Sequence, residues 1–136
     1  MVVFLDTGFI LAIRNADDLN HLKAREIMKE CLSGKFGQIF VSNFVFDETV
    51  TLTLVRTHNR GLVEDIGNFI FESPRIKLIH LSETEFLATW EYFLKYFKKG
   101  LSFTDCSLLV MTKLFEDNVY IATFDKHFKG IISVIE

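Results

Sequence analysis

The sequence predicts an α/β fold: three layers, with helices on both faces of a parallel sheet of about five strands. Three observations point to these layers. Short apolar runs alternate with longer stretches whose apolar residues recur at helical spacing, along all 136 residues. The apolar runs are solid rather than alternating, as in strands covered on both faces. Capping and breaking signals fall between the two kinds of segment.

The elements follow in order. Val2 to Leu5 is a buried strand closed by Asp6 and Gly8, and a short helical segment leads to Arg14. Asn20 through Leu32 is a helix, with Leu22, Ile27 and Met28 among charges. Gln38 to Val41 is the second strand, and Ser42 or Asn43 caps a helix to about Arg56. Gly61 to about Ser73 is helical and ends before Pro74. Ile76 to Leu81 is the third strand. Ser82 and Glu85 form a capping box, followed by Phe86, Leu87, Trp90, Phe93, Leu94 and Phe97 at helical spacing until Gly100. Ser102 and Asp105 open a last helix to about Asp117. Val119 to Ala122 and Ile131 to Ile135 complete the strands.

Composition sets limits. Hydrophobic residues are 49% and charged residues 24%, which suits one globular domain over residues 1–136 and excludes a disordered chain. The longest uncharged run, Phe36 to Phe46, is too short for a membrane helix, which needs about 20 residues. No basic leader precedes the first strand, and Cys31 and Cys106 are too few for a disulfide scaffold, so the expectation is a cytoplasmic protein. Phenylalanine is unusually frequent at 15 residues, more bulk than one small core hides, so part of it is expected in a subunit or partner interface. A net charge of −3 argues against a generic basic nucleic-acid coat, but not against an acidic metal site that acts on nucleic acid.

In a parallel α/β sheet the ligand site lies beyond the carboxyl ends of the strands. Asp6 ends the first strand there, and Asp125 follows the fourth by one short turn. Asp105 begins the helix before that strand, and Glu48 lies in the helix after the second. Taken singly, Asp6 and Asp125 have an ordinary reading as caps or turn formers, and Asp105 as the partner of Ser102. Glu48 is harder to explain that way. Its helical neighbours Phe44, Val45, Leu52 and Val55 form an apolar stripe that would turn it inward, whereas Asp47 is read as solvated. Four carboxylates brought together would share protons or hold a hard cation, and all-oxygen ligands select Mg2+ or Mn2+. These four outweigh the whole net charge of −3.

These residues resemble the PIN-domain family of metal-dependent ribonucleases along the whole chain. Phe4-Leu-Asp-Thr-Gly-Phe-Ile-Leu-Ala12 is similar to the family's opening strand and its Asp-Thr/Ser. Phe46-Asp-Glu-Thr49, Leu101-Ser-Phe-Thr-Asp-Cys-Ser-Leu-Leu109 and Ile121-Ala-Thr-Phe-Asp-Lys-His-Phe128 resemble its later motifs, in order. The resemblance implies Asp6, Glu48, Asp105 and Asp125 as catalytic metal ligands, and Thr123 as a hydroxyl behind them or a ligand through water. It also implies the strand order 3-2-1-4-5 and a homodimer. At this length the chain looks most like VapC-type toxins, endoribonucleases neutralised by a cognate antitoxin protein. The expected chemistry is hydrolysis of an RNA phosphodiester, with the metal as Lewis acid and activator of water.

Basic residues near the mouth are expected to meet the substrate, preferably single-stranded or looped RNA. The candidates are Lys126, Lys129 and Arg14, with Lys95, Lys98 and Lys99 before the third motif. His21, His58, His80 and His127 are scattered, and only His127 is near enough to Asp125 to shape the site. Other classes fit less well. A dehalogenase-like phosphatase wants a second Asp where Gly8 stands, and a receiver domain wants an acidic pair where Asp6 stands alone. A PIN nuclease that processes RNA without a toxin role, or an inactive PIN-like scaffold, are the remaining alternatives.

Overall fold

The computed structural model describes residues 1–116 and 118–136. Five parallel strands form one sheet in the order β3-β2-β1-β4-β5: β1 is Val2–Leu5, β2 Gln38–Ser42, β3 Ile76–Ile79, β4 Val119–Ala122 and β5 Ser133–Ile135. The expected order is the observed one. β1 is central and buried along its whole length, so apolar Val2, Val3, Phe4 and Leu5 face helices on both sides.

The helices are α1 (Thr7–Arg14), α2 (His21–Leu32), α3 (Asn43–Thr57), α4 (Arg60–Glu72), α5 (Glu83–Lys95) and α6 (Phe103–Thr112). Local chemistry sets their starts. Ser42 caps α3, its Oγ accepting from the Val45 N–H at 3.1 Å. Asn43 instead turns its side chain to the Leu81 N–H at 3.1 Å. Both capping boxes form, Ser82 with Glu85 and Ser102 with Asp105.

Several boundaries depart from the sequence reading. The third strand stops at Ile79 rather than Leu81, because its last partner, Ser42, already caps α3. The fifth begins at Ser133 rather than Ile131, because the Ile131 and Ile132 N–H groups donate to the Phe128 carbonyl. The last helix ends at Thr112, where the N–H groups of Lys113, Leu114 and Phe115 bond back three residues in tightening turns. Its expected end, Asp117, lies outside the described residues.

The stripe expected on α3 is also corrected. Its buried residues are Val45, Thr49 and Thr53, whereas Val55 is exposed. The threonines can turn inward because their hydroxyls donate to carbonyls one turn back, Thr49 to Val45 at 2.6 Å and Thr53 to Thr49 at 2.8 Å. Glu48 therefore stands at the edge of the buried face, half-buried, and Asp47 is exposed as expected.

No helix is long and apolar enough to cross a membrane among the described residues. Cys31 and Cys106 are both buried free thiols. The apolar excess surfaces most clearly on α5, where Leu87, Trp90 and Leu94 are exposed, with Phe97 beyond its end.

Candidate active site

Parallel pairing carries β1 and β4 to one edge side by side, with the Asp6 N–H donating to the Ala122 carbonyl at 3.1 Å. Asp6 leaves β1 there and becomes the cap of α1, its Oδ1 accepting from the Thr7 N–H at 2.8 Å. Its Oδ2 accepts from the hydroxyl of Thr123, just past β4, at 2.7 Å. That hydroxyl also accepts from the Asp125 N–H at 2.9 Å, so one buried oxygen links two carboxylate residues. Asp6 is only 5% exposed.

The other carboxylates arrive from separate elements. Glu48 Oε2 accepts from the Thr7 hydroxyl at 3.1 Å, tying α3 to the start of α1. Asp105 Oδ2 accepts from the Ser102 N–H at 2.9 Å. Asp125 Oδ1 accepts from the His127 N–H at 2.9 Å and meets its Nδ1 at 2.7 Å. The capping and turn roles read from the sequence are thus all present, and they orient these groups rather than explain them away. All four line one cavity of about 330 Å³ at the carboxyl edge of the sheet.

Burial pushes the Asp6 carboxyl up from 3.8 to about 7; repulsion from Asp105 and Glu48 adds to this, and the Thr123 and Thr7 hydrogen bonds oppose it. Burial likewise raises Glu48, with Asp105 repelling it and Thr7 and Thr104 pulling it down. Burial raises Asp105 too, opposed by its Ser102 hydrogen bonds and aided by repulsion from Asp125. Each of the three holds its proton more tightly because of its setting. A divalent cation would reverse that, and an all-carboxylate donor set is the chemistry that hard cations take. The carboxylates surround the cavity rather than meet at one point: among the described residues no three His, Cys, Asp or Glu side chains stand as a ready metal ligand group.

The basic residues are sorted differently from the expectation. Arg14 is not at this cavity. Its guanidinium forms a two-pronged pair with Asp65, at 2.9 and 2.6 Å, beside a separate cleft between α1 and α4. Lys129 pairs with Glu136 at 2.6 Å, and Lys126 is exposed one residue past Asp125. Lys95 lines another cavity altogether. The cavity holds three polar residues that the sequence reading missed, Arg56, Asp18 and Asn20. Arg56 lies two turns beyond Glu48 on α3, and the helical repeat is the signal in the sequence that places it near Glu48. Asp18 and Asn20 come from the α1–α2 loop, and no local pattern marks them.

A family model described as PIN domain matches residues 3–132. The chain is 27% identical over 129 residues to the VapC ribonuclease of Archaeoglobus fulgidus, covering 94% of this chain and 80% of that protein. It is 28% identical over 134 residues to the 23S rRNA-specific endonuclease VapC20 of Mycobacterium tuberculosis, covering 98% of each. The crystal structure of Mycobacterium tuberculosis VapC20, a sarcin-ricin loop cleaving toxin, superposes with a TM-score of 0.81 at 21% identity, over 96% of this chain and 95% of that one. That of VapBC2 from Rickettsia felis, bound to a promoter DNA fragment, gives 0.65 at 15% identity, over 99% and 98%. These structures share the fold, and on the family match over nearly its whole length, the chain belongs to the PIN domain family.

Proposed function

We propose that this chain is a divalent-metal-dependent endoribonuclease, the toxin of a toxin–antitoxin pair. The observation that carries it is the meeting of Asp6, Glu48, Asp105 and Asp125, from four separate stretches of a PIN-family chain, around one cavity. Both curated relatives are named as ribonucleases or endonucleases, and VapBC2 of Rickettsia felis shares the fold, which supports the toxin role and a cognate antitoxin.

In this reading Asp6, Glu48, Asp105 and Asp125 would hold Mg2+ or Mn2+, which would supply Lewis-acid polarisation of the phosphodiester and activation of water. The chain's own residues prepare the site. Thr123 and Thr7 fix the two oxygens of Asp6. Thr7 also steadies Glu48, and Ser102 steadies Asp105. His127 anchors Asp125. Arg56 offers a cation at the wall, which an RNA phosphate needs in order to approach so acidic a cavity. The substrate is RNA, single-stranded or looped, in the cytoplasm. A homodimer gives a use to the exposed apolar residues of α5.

The test needs no guess about the RNA. Wild type, Asp6→Asn and Asp105→Asn are melted in EDTA and then with Mn2+ or Mg2+. A ligand at 100 times its Kd stabilises by about 2.7 kcal/mol, several degrees in Tm for a domain of this size. The expected result is a metal-dependent rise in the wild type alone, followed by metal-dependent RNA cleavage. No rise, or the same rise in all three proteins, overturns the metal site.

A further inference from the structure

The larger of the two cavities bordering α6 is not the acidic one. A groove of about 510 Å³ opens at the other end of α6, beside the starts of β4 and β5. The chain has three tyrosines, and all of them, Tyr92, Tyr96 and Tyr120, line it. Lysines stand over two of their rings. Lys113 Nζ lies 4.6 Å from the Tyr92 centroid, Lys95 Nζ 5.6 Å from Tyr92 and 5.4 Å from Tyr96, and Lys99 Nζ 5.7 Å from Tyr96. Among the described residues, none of these three lysines is in a salt bridge, whereas Lys29, Lys35 and Lys129 each have a carboxylate. The one acidic residue that lines the groove within the described chain is Glu116.

We propose that this groove is a second RNA-contact site that grips the sugar–phosphate backbone of a single strand. Lys95 and Lys113, which line the groove, and Lys99, held on the Tyr96 ring beside it, are positioned by cation–π contact and lose less freedom on meeting phosphates than free lysines would. Phenol hydroxyls suit phosphate oxygens and the ribose 2′-hydroxyl. The groove thus adds to the positive charge that Arg56 alone supplies at the acidic cavity. α6, about 15 Å long, borders the acidic cavity at Asp105 and the groove at Leu109 and Thr112, so a strand of several nucleotides reaches both. The choice of RNA as the polyanion rests on the ribonuclease reading.

The experiment measures binding of a fluorescein-labelled 12-nucleotide single-stranded RNA by anisotropy, in EDTA. Chelation stops cleavage and silences metal-dependent contacts, leaving the groove and Arg56, which is the same in every variant compared. Lys95→Gln/Lys113→Gln is compared with wild type and with Lys23→Gln/Lys77→Gln, which makes the same charge change at exposed positions elsewhere. The groove variant is expected to bind about tenfold more weakly at low salt, with a salt slope shallower by about 1.4, the value for two lost phosphate contacts to a single strand. The control pair should stay close to wild type. Equal effects in the two pairs overturn the proposal, as does polyglutamate or AMP competing as well as RNA. The two readings fail separately. Unchanged binding in the groove variant alongside metal-dependent cleavage by wild type sinks the groove and keeps the nuclease. Weakened binding without cleavage under any metal does the reverse.

Discussion

The Thr123 hydroxyl donates to Asp6 Oδ2 at 2.7 Å and joins the ends of two neighbouring strands through a fully buried contact. The same oxygen accepts from the Asp125 N–H at 2.9 Å. Replacing Thr123 with Val keeps the shape and removes both bonds, leaving a buried carboxylate and a turn N–H without their partner. The expected cost is about 1–3 kcal/mol of stability, with a Tm lower by several degrees. Metal should restore part of that loss by neutralising Asp6. Thermal melts of Thr123→Val with and without Mn2+ check both statements, and Thr123→Ser should behave nearly as wild type.

The raised Asp6 carboxyl makes a signed prediction for pH. Folded Asp6 keeps its proton up to about 7, whereas the unfolded chain releases it near 3.8. Between those values the folded state binds more protons, so this group's contribution to stability falls as pH rises from about 4 to 7 and stays low above. Glu48 and Asp105 are raised as well and act in the same direction. In EDTA the gap in Tm between Asp6→Asn and wild type should therefore widen in favour of the variant from pH 5.5 to pH 8. Added Mn2+ competes with that proton, so its stabilising effect on wild type should be larger at pH 8. A gap that does not change with pH contradicts the assignment.

Asp105 serves two purposes that one substitution separates. As the third residue of α6 it accepts from the Ser102 N–H, a bond that an Asn oxygen can also take. As a carboxylate facing the cavity it carries a charge that Asn cannot supply. Asp105→Asn should melt within about 1 kcal/mol of wild type in EDTA. It should lose at least about 100-fold in metal-dependent RNA cleavage. Cleavage at wild-type rate by this variant removes Asp105 from the site.

What the sequence makes legible here is what local chemistry decides. Asp6 at a strand end, the two capping boxes and the solid apolar strands follow from neighbours within a few residues, and parallel pairing then brings Asp6 and Asp125 to one edge. Three features are not legible from an apolar count or from neighbouring residues alone. Thr49 and Thr53 occupy the buried face of α3 by satisfying their hydroxyls on its own carbonyls, so an apolar count selected Val55 instead. Arg14 ends the first helix, where the sequence leaves it free to face the substrate, but Asp65, far along the chain, captures it. Asp18 and Asn20 reach the cavity through the path of a loop.

Arg56 lies two turns beyond Glu48 on α3. It shares the cavity with Glu48 and offers an exposed guanidinium where RNA would enter. Arg56→Gln should leave stability within about 0.5 kcal/mol of wild type, as surface changes do. A lost charged phosphate contact should raise KM for RNA about tenfold, with kcat changed less. Steady-state cleavage at two salt concentrations checks this, since the defect should shrink as salt screens the wild-type contact. A fall in kcat alone would place Arg56 at the reacting phosphate rather than at the entrance.

Arg14 makes the opposite case. Its guanidinium meets both Asp65 oxygens, at 2.9 and 2.6 Å, and lies over the Phe69 ring at 4.8 Å. The pair holds Arg14 above and Asp65 below their ordinary values through their mutual hydrogen bonds. Both side chains keep contact with water, at 34% and 42% exposure, so screening limits the pair's worth. Arg14→Ala should cost about 1 kcal/mol, part of it the packing of the stem on Phe69. Its KM and kcat for RNA should remain those of wild type, because the pair clamps α1 to α4 away from the carboxylates. Asp65→Ala should destabilise to a similar extent, and the double variant should cost less than the sum of the two, the signature of a coupled pair. A KM defect in Arg14→Ala without loss of stability would return Arg14 to the substrate.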